Sequence, residues 1–396
     1  YDLELFQLFI KDLELPKPSL NLKVGSGTQA YQLAQSLIKL EKAFEEIKPD
    51  CVIVQGDTNS AAAGALAATK LHIPCAHVEA GLRSFDKNMP EEVNRILIDH
   101  ISEFLFAPTE AAALNLANEM IESWKIFVTG NTVIDAVYQY IKKINESKIL
   151  SQLGLKEKQY IIVTAHRVES VDNPVRLKNI IHALASLNNF PIVFPIHPRT
   201  EGRLGEFGLK ETLQKADHIK LIKPLGYFDF LKLISQAKLA ITDSGGVVEE
   251  VTVFKVPAII LRENTERPEG LGIFYYLAGY DPKKIVDLAK NLILSDIEAK
   301  LKNLKTPFGD GKTSQRIVKT LLEKKEELKI RSPSFVEGKY PKVKLIKVKQ
   351  NLAKKTIEEL EKKLGGRVLT IFDEKGEAIY PSLNFIVEEG QRLRVL

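Results

Sequence analysis

One stretch limits what this chain can fold into more than any other: Leu239-Ala240-Ile241-Thr242-Asp243-Ser244-Gly245-Gly246-Val247-Val248-Glu249-Glu250. Its apolar start reads as a buried parallel strand, its middle as a tight turn, and a helical pattern begins at once with Val247. Strand, glycine turn and helix start together present unpaired backbone N–H groups and the positive end of a helix dipole to an anion. Two glycines let the backbone approach a phosphate with no Cβ in between. Glu250, about one turn into the helix, can accept hydrogen bonds from a neutral diol such as a ribose. Taken alone, the turn is equally a plain strand-to-helix connection, so its meaning depends on its neighbours.

The same unit recurs along the chain. Residues 1–13 read as an amphipathic helix with Leu3, Phe6, Phe9 and Ile10 on one face. Gly25-Ser26-Gly27-Thr28 leads into a helix to residue 48. The continuous apolar core of Asp50-Cys51-Val52-Ile53-Val54-Gln55 predicts a strand covered on both faces, ending at Gly56-Asp57 before an alanine-rich helix over 61–71. Further strands are predicted at 73–78, 104–107 and 125–128, and a helix opens at Pro90-Glu91-Glu92. After a polar stretch the pattern restarts with strands at 160–164, 192–196, 219–221, 239–241 and 258–261. Alternation of this kind means an α/β fold with parallel sheets, here two doubly wound Rossmann-like domains over 1–147 and 148–330. Open parallel sheets take ligands at the carboxyl ends of their strands, so the site belongs in the cleft between the domains. Ile330-Arg331-Ser332-Pro333-Ser334 reads as a linker, and a small α+β module follows over 340–396, with a hairpin turn at Glu374-Lys375-Gly376-Glu377.

Composition narrows the function. A net charge of +5 over 396 residues, with no lysine or arginine run, argues against a nucleic-acid partner. No apolar run approaches the length that crosses a bilayer, and the acidic start is not that of a signal peptide. The two cysteines, Cys51 and Cys75, sit at strand edges and read as structural thiols, which suits a reducing cytoplasm. No cysteine pair or helical histidine spacing suggests a metal, and no glycine-lysine phosphate loop suggests ATP hydrolysis.

Chemistry-bearing residues collect at the predicted strand ends: Asp57, Glu79, Glu91, Glu92, Arg95, His166, Arg167, His197, Arg199, Glu250, Glu266 and Arg267. Any one of them has a plain reading; Asp57, for instance, suits a helix cap. Together they divide by domain, with carboxylates suited to proton transfer in the first and cations beside the Ser-Gly-Gly turn in the second. That division fits an enzyme that holds a nucleotide in one domain and works on its sugar in the other.

Several motifs, in order over most of residues 1–328, resemble the non-hydrolysing UDP-N-acetylglucosamine 2-epimerases. They are Val54-Gln55-Gly56-Asp57-Thr58, His77-Val78-Glu79-Ala80-Gly81-Leu82-Arg83, Pro90-Glu91-Glu92-Val93-Asn94-Arg95, Val128-Thr129-Gly130-Asn131-Thr132, Ala165-His166-Arg167-Val168-Glu169, His197-Pro198-Arg199-Thr200, the stretch over 242–250, and Thr265-Glu266-Arg267-Pro268-Glu269. The resemblance implies a GT-B-like fold and interconversion of UDP-N-acetylglucosamine and UDP-N-acetylmannosamine without a cofactor. It implies that UDP is expelled from C1 as the C2 proton leaves, giving a 2-acetamidoglucal, and that UDP adds back after reprotonation on the other face. Asp57, Glu79 and Glu91 would then be acid/base groups, with His166 a catalytic group and Arg95 at the sugar or diphosphate. His197 and Arg199 would add cations, Ser244, Gly245 and Gly246 would cradle phosphate, Glu250 would hold the ribose, Arg267 would flank the nucleotide, and Phe230 would pack on the uracil.

Two features depart from that family. Tyr1-Asp2 matches it only after its first strand, a Gly-Thr-Arg-Pro-Glu loop whose arginine reaches the diphosphate, a helix and a second strand; the expectation is a truncated start, with activity in question. The segment that helps some bacterial members bind an allosteric second substrate is expected to be missing with it. Residues 342–396, through Thr356-Ile357-Glu358-Glu359-Leu360, Gly376-Glu377-Ala378-Ile379-Tyr380-Pro381 and Glu388-Glu389-Gly390-Gln391-Arg392-Leu393, resemble the C-terminal regulatory domain of TrkA potassium-uptake proteins. That resemblance implies a homodimer joined through this domain, and a small ligand on it. Two rivals stand beside the leading reading: an epimerase for a modified sugar such as a 2,3-diacetamido uronic acid, and a nucleotide-sugar sensor without turnover.

Overall fold

The computed structural model describes residues 10, 12–324, 344–366, 368–373, 378–379 and 385–395. The helix expected over 1–13, the linker and the hairpin turn at 374–377 lie almost wholly outside the described residues. Four strands, β1 Val52–Gln55, β2 Cys75–Val78, β3 Phe104–Ala107 and β4 Ile126–Val128, form the first sheet in that order, all parallel. β2 and β3 are buried along their whole length because both of their faces are covered. On one face, the helix Asn59–Lys70 offers Ala61, Ala62, Ala65 and Ala68, small enough to pack closely on Val54 and Cys75. Among the described residues no strand pairs with the outer edge of β1, and Ile53 there is 56% exposed.

The second sheet has six parallel strands: β5 Ile161–Thr164, β6 Ile192–Pro195, β7 Ile219–Ile222, β8 Leu239–Thr242, β9 Ala258–Ile260 and β10 Tyr275–Leu277. Their spatial order is β10-β9-β8-β5-β6-β7, so the winding reverses between β5 and β8. The largest core cluster surrounds this sheet. Both sheets direct the carboxyl ends of their strands at a shared cleft.

Helices near the expected boundaries at 147 and 330 pack across them. Ile134 and Val137 of the helix Thr132–Gln139 are buried in the second core. Conversely, the helix Thr313–Glu323 packs Ile317 against Ala76, Val78, Phe104 and Phe106 of the first sheet. The second core thus takes helices from the first half of the chain, Ile144 of the helix Ile141–Glu146 included, and the first sheet takes one from the second half. An apolar stripe specifies burial but not which sheet supplies it.

The C-terminal module is a four-stranded antiparallel sheet of β11 Lys344–Lys347, β12 Val368–Phe372, β13 Ala378–Ile379 and β14 Arg392–Val395, in the order β11-β14-β12-β13. The helix Ile357–Leu364 starts with a full capping box between Thr356 and Glu359 and covers a core of its own, with Leu360, Ile371 and Leu393 fully buried. Thr370 donates to Asn118 Oδ1 at 3.0 Å, which seats the module on the first domain. Among the described residues, no helix is long and apolar enough to cross a membrane.

Candidate active site

The reversal between β5 and β8 makes the loops leaving them diverge, and that crevice is where open α/β sheets take ligands. Asp243, fully buried at the end of β8, accepts the backbone N–H of His166 and of Arg167 on Oδ2, each at 2.9 Å. Its Oδ1 lies 3.3 Å from His166 Nδ1. One carboxylate therefore ties the Ala165-His166-Arg167 loop to the Ser244-Gly245-Gly246 turn. Ser244 stands at the N-cap of the helix Gly245–Phe254 without a side-chain capping bond. The first-turn N–H groups of a helix have no partner within it, so this turn offers donors to an anion. Gly245 is required by close approach: a Cβ there would meet Arg267 Nη1 at 2.5 Å, whereas Gly246 faces open space.

The opposite lip carries the carboxylates. Asp57, just past β1, accepts from Arg95 Nε at 2.9 Å and Nη2 at 2.5 Å. Arg95, buried on the helix Pro90–Ile101, also donates to Glu92 at 2.8 Å, while Asn94 donates to the Asp57 carbonyl at 2.8 Å. Glu92 in turn accepts from the backbone of Ser84 and Phe85, which makes it a strut of the loop after β2. Glu91, one residue earlier, has a buried Oε2 with no hydrogen-bond partner among the described residues. An unsatisfied buried carboxylate oxygen is expensive, and such atoms concentrate where a ligand supplies the partner. Glu79, at the exit of β2, holds a left-handed backbone with φ 70°. Its Oε2 reaches to 3.7 Å from the point where a Cβ on Gly56 would stand, beside the Asp57 loop.

A charge network crosses the cleft. Arg267 donates to Glu249 and, at 2.6 Å, to Glu266; Arg262 reaches Glu266 at 2.7 Å, and Arg95 lies 3.9 Å from it. Asn131 of the first half donates to Glu249 at 2.8 Å, and Thr109 donates to Glu269. Burial would raise Glu266, but Arg267, Arg262, Arg95 and Arg167 hold it well below the usual carboxylate range. Glu249 is pushed up to about 7 by burial, which Arg267 only partly offsets and Glu79 reinforces. Glu250 is pushed up to about 8 by burial, with Glu249 adding to it.

These raised carboxyls have a consequence for pH. Each keeps its proton in the folded chain where the unfolded chain, near 4.5, has lost it. Their contribution to stability is therefore present below that value and is lost as pH rises through the folded values. Wild-type Tm is expected to fall by several degrees between about pH 5 and about pH 8.5 relative to Glu250→Gln, which has no proton to lose. Parallel Tm-against-pH curves from differential scanning fluorimetry would contradict this.

Most residues expected at the cleft from the motifs meet there, and a few do not. His197 caps the helix Pro198–Glu206 by accepting from Arg199 N–H at 3.1 Å, and its ring lies 5.7 Å from that of His166. Arg199, expected to add a cation at the diphosphate, is instead paired with Asp172 through two contacts of 3.0 Å and is 44% exposed in its side chain. Arg203, one helical turn on, shares the same carboxylate. Phe230 is half-buried against the second core, on the helix Tyr227–Gln236. Asp243, Glu249 and Asn131 stand inside the motifs without an assigned role there, and Arg262 lies outside them. For Arg262 the signal was a charge interrupting an apolar strand end, Ile260-Leu261-Arg262.

Two parallel-sheet domains around one cleft, with carboxylates on one lip and a glycine turn at a helix start on the other, define a nucleotide-sugar enzyme of the GT-B architecture. The family model for UDP-N-acetylglucosamine 2-epimerase matches residues 1–322. A UDP-N-acetylglucosamine 2-epimerase of Methanocaldococcus jannaschii is 47% identical over 327 residues, 81% of this chain and 88% of that protein. A UDP-2,3-diacetamido-2,3-dideoxy-D-glucuronate 2-epimerase of Pseudomonas aeruginosa is 37% identical over 330 residues, 81% of this chain and 88% of that protein. The crystal structure of the M. jannaschii UDP-GlcNAc 2-epimerase in complex with UDP-GlcNAc and UDP matches with a TM-score of 0.75 at 47% identity, over 80% of this chain and 88% of that one. This chain belongs to the UDP-N-acetylglucosamine 2-epimerase family.

Proposed function

We propose that this chain catalyses reversible epimerisation at C2 of UDP-N-acetylglucosamine, giving UDP-N-acetylmannosamine. The observation that supports the reading is the charge network across the cleft: Asp57 is paired with Arg95, Arg95 lies 3.9 Å from Glu266, and the charge of Glu79 reaches Glu249 and Arg267 beside the Ser244-Gly245-Gly246 turn. The C2 proton is barely acidic, so its removal is coupled to cleavage of the C1–O bond to UDP. A carboxylate takes the proton, the electron pair forms the C1–C2 double bond, and UDP leaves with the bonding electrons of the C1–O bond. A carboxylate on the other face then returns a proton to C2, and UDP re-adds at C1. Asp57, Glu79 and Glu91 serve as the acid/base groups. His166, with Arg95 nearby, stabilises the departing diphosphate. The glycine turn binds phosphate, Glu250 the ribose, and Phe230 the uracil; Arg267 shapes the nucleotide side.

The test is to incubate the purified chain with UDP-N-acetylglucosamine and, separately, with UDP-2,3-diacetamido-glucuronate, and to separate the isomers by anion-exchange chromatography. The reading expects the manno isomer from the first sugar at a kcat/KM at least about tenfold above the second; preference for the uronate, or no isomer from either, contradicts it. Gly245→Ala is expected to weaken UDP binding about tenfold, the effect of overpacking against Arg267 by roughly 1–3 kcal/mol. Calorimetric titration with UDP measures it, and an unchanged Kd counts against the phosphate role.

We further propose that the C-terminal module, with its separate core, acts as a TrkA-like dimerising and ligand-sensing domain. Deleting 335–396 is expected to change oligomeric state or substrate affinity; a deletion that changes neither removes the proposal.

A further inference from the structure

We infer that Asp99 is a positioning residue for the reaction: through His77, Arg83 and Gly81 it holds the loops carrying Asp57 and Glu79 in one fixed relation. The inference rests on the epimerase reading above. His77 lies in β2, among apolar neighbours, and is fully buried. Its Nδ1 is 2.6 Å from Asp99 Oδ1, and its Nε2 is 2.9 Å from the carbonyl oxygen of Gly56. The other oxygen of Asp99 accepts the Gly81 N–H at 3.1 Å and Arg83 Nη1 at 2.7 Å. Arg83 continues outward with a bidentate pair to Glu119, at 2.6 and 2.7 Å.

The endpoints of this chain give it its meaning. Gly56 directly precedes Asp57, and Gly81 follows Glu79 by two residues. Both Glu79 and Gly81 hold left-handed backbone, with φ 70° and 81°, a conformation that needs outside support at a non-glycine residue. A Cβ on Gly81 would lie 2.2 Å from the Ala112 carbonyl oxygen, so the loop is wedged against the next helix as well as tethered. Burial would raise Asp99, but His77 and Arg83 hold it below the usual carboxylate range.

Asp99 and Arg83 are buried and spend their polar atoms on His77, Gly81, Glu119 and each other, so they act through the loops they hold. Buried ion pairs often stabilise no better than apolar residues of the same volume. What they add is directional geometry. Proton transfer on both faces of one carbon needs Asp57 and Glu79 placed relative to each other, and a misplacement of about 1 Å costs about 10²-fold in rate.

The test uses the full chain carrying Asp99→Asn, assayed for C2 hydrogen exchange and isomer formation with UDP-N-acetylglucosamine. UDP-binding stoichiometry counts folded molecules. The expected result is a kcat per UDP-binding site about 10²-fold below wild type, with KM within about threefold. A kcat within threefold of wild type overturns the inference. So does a loss of activity matched by an equal loss of UDP-binding sites, the mark of a purely structural role. Should Asp99→Asn not fold, His77→Gln decides: glutamine has a single donor nitrogen where His77 uses two ring nitrogens to bridge Asp99 and the Gly56 carbonyl, and kcat is expected to fall at least tenfold at unchanged KM. Unchanged kcat in His77→Gln overturns the inference. Wild-type protein without turnover instead overturns the functional reading itself, so the two failures are distinguishable.

Discussion

Glu79→Gln is expected to lower kcat for C2 epimerisation by about 10³-fold while leaving UDP affinity within about twofold, the range for losing a positioned acid/base group. Glutamine keeps the size of the side chain but turns one acceptor oxygen into an N–H donor and removes the charge and the capacity to exchange a proton. Glu79 is held at φ 70° at the mouth of β2, close enough to Glu249 and Arg267 for its charge to be felt across the cleft. UDP is bound chiefly from the second domain in this account, so its Kd is a control for folding. Steady-state kinetics alongside calorimetry measure both quantities. A variant that retains more than about a tenth of wild-type kcat would remove Glu79 from the chemistry.

Arg267→Met is expected to destabilise the protein by about 3–5 kcal/mol, the penalty for stripping one partner from buried carboxylates. The guanidinium is the cation shared by Glu249 and Glu266, both 1% exposed in their side chains. Methionine fills much of the volume, so the loss is mainly electrostatic rather than a cavity. At about 2.1 cal/mol/K per residue, a chain of 396 residues loses roughly 4–6 °C in Tm for that penalty. Because Glu249 already lies near 7, neutralising it should recover part of the loss. The double variant Glu249→Gln, Arg267→Met is therefore expected to be more stable than Arg267→Met alone by at least about 1 kcal/mol. Strictly additive losses in chemical denaturation would show that the two residues do not interact.

How much of this was legible beforehand depended on which physical signal each part carries. The strands β5, β6, β8 and β9 were readable because strands covered on both faces are continuous apolar runs, ended by polar turns. β10 was not, since Tyr275-Tyr276-Leu277 is short and partly exposed, and β13 has only two residues. The strand ends located the cleft, and the motifs contain Asp57, Arg95, Glu266 and Arg267, which the fold joins in one charge network. The exchange of helices between domains was illegible, because the stripe containing Ile317 fits either sheet. Arg199 illustrates a different limit: its motif neighbour His197 does sit beside His166, but Asp172, far away in sequence, takes the guanidinium. The buried pair of His77 and Asp99 gave no warning either. A histidine in an apolar strand demands a polar partner, but nothing local says which of many carboxylates supplies it.

The most direct test of the central claim is proton NMR of the purified chain with UDP-N-acetylglucosamine in D2O. The account predicts that UDP-N-acetylmannosamine appears and that deuterium replaces hydrogen at C2, since each inversion passes through a state in which C2 has lost its proton. Substrate that binds, by line broadening or saturation transfer, yet keeps its C2 proton and its configuration would contradict it.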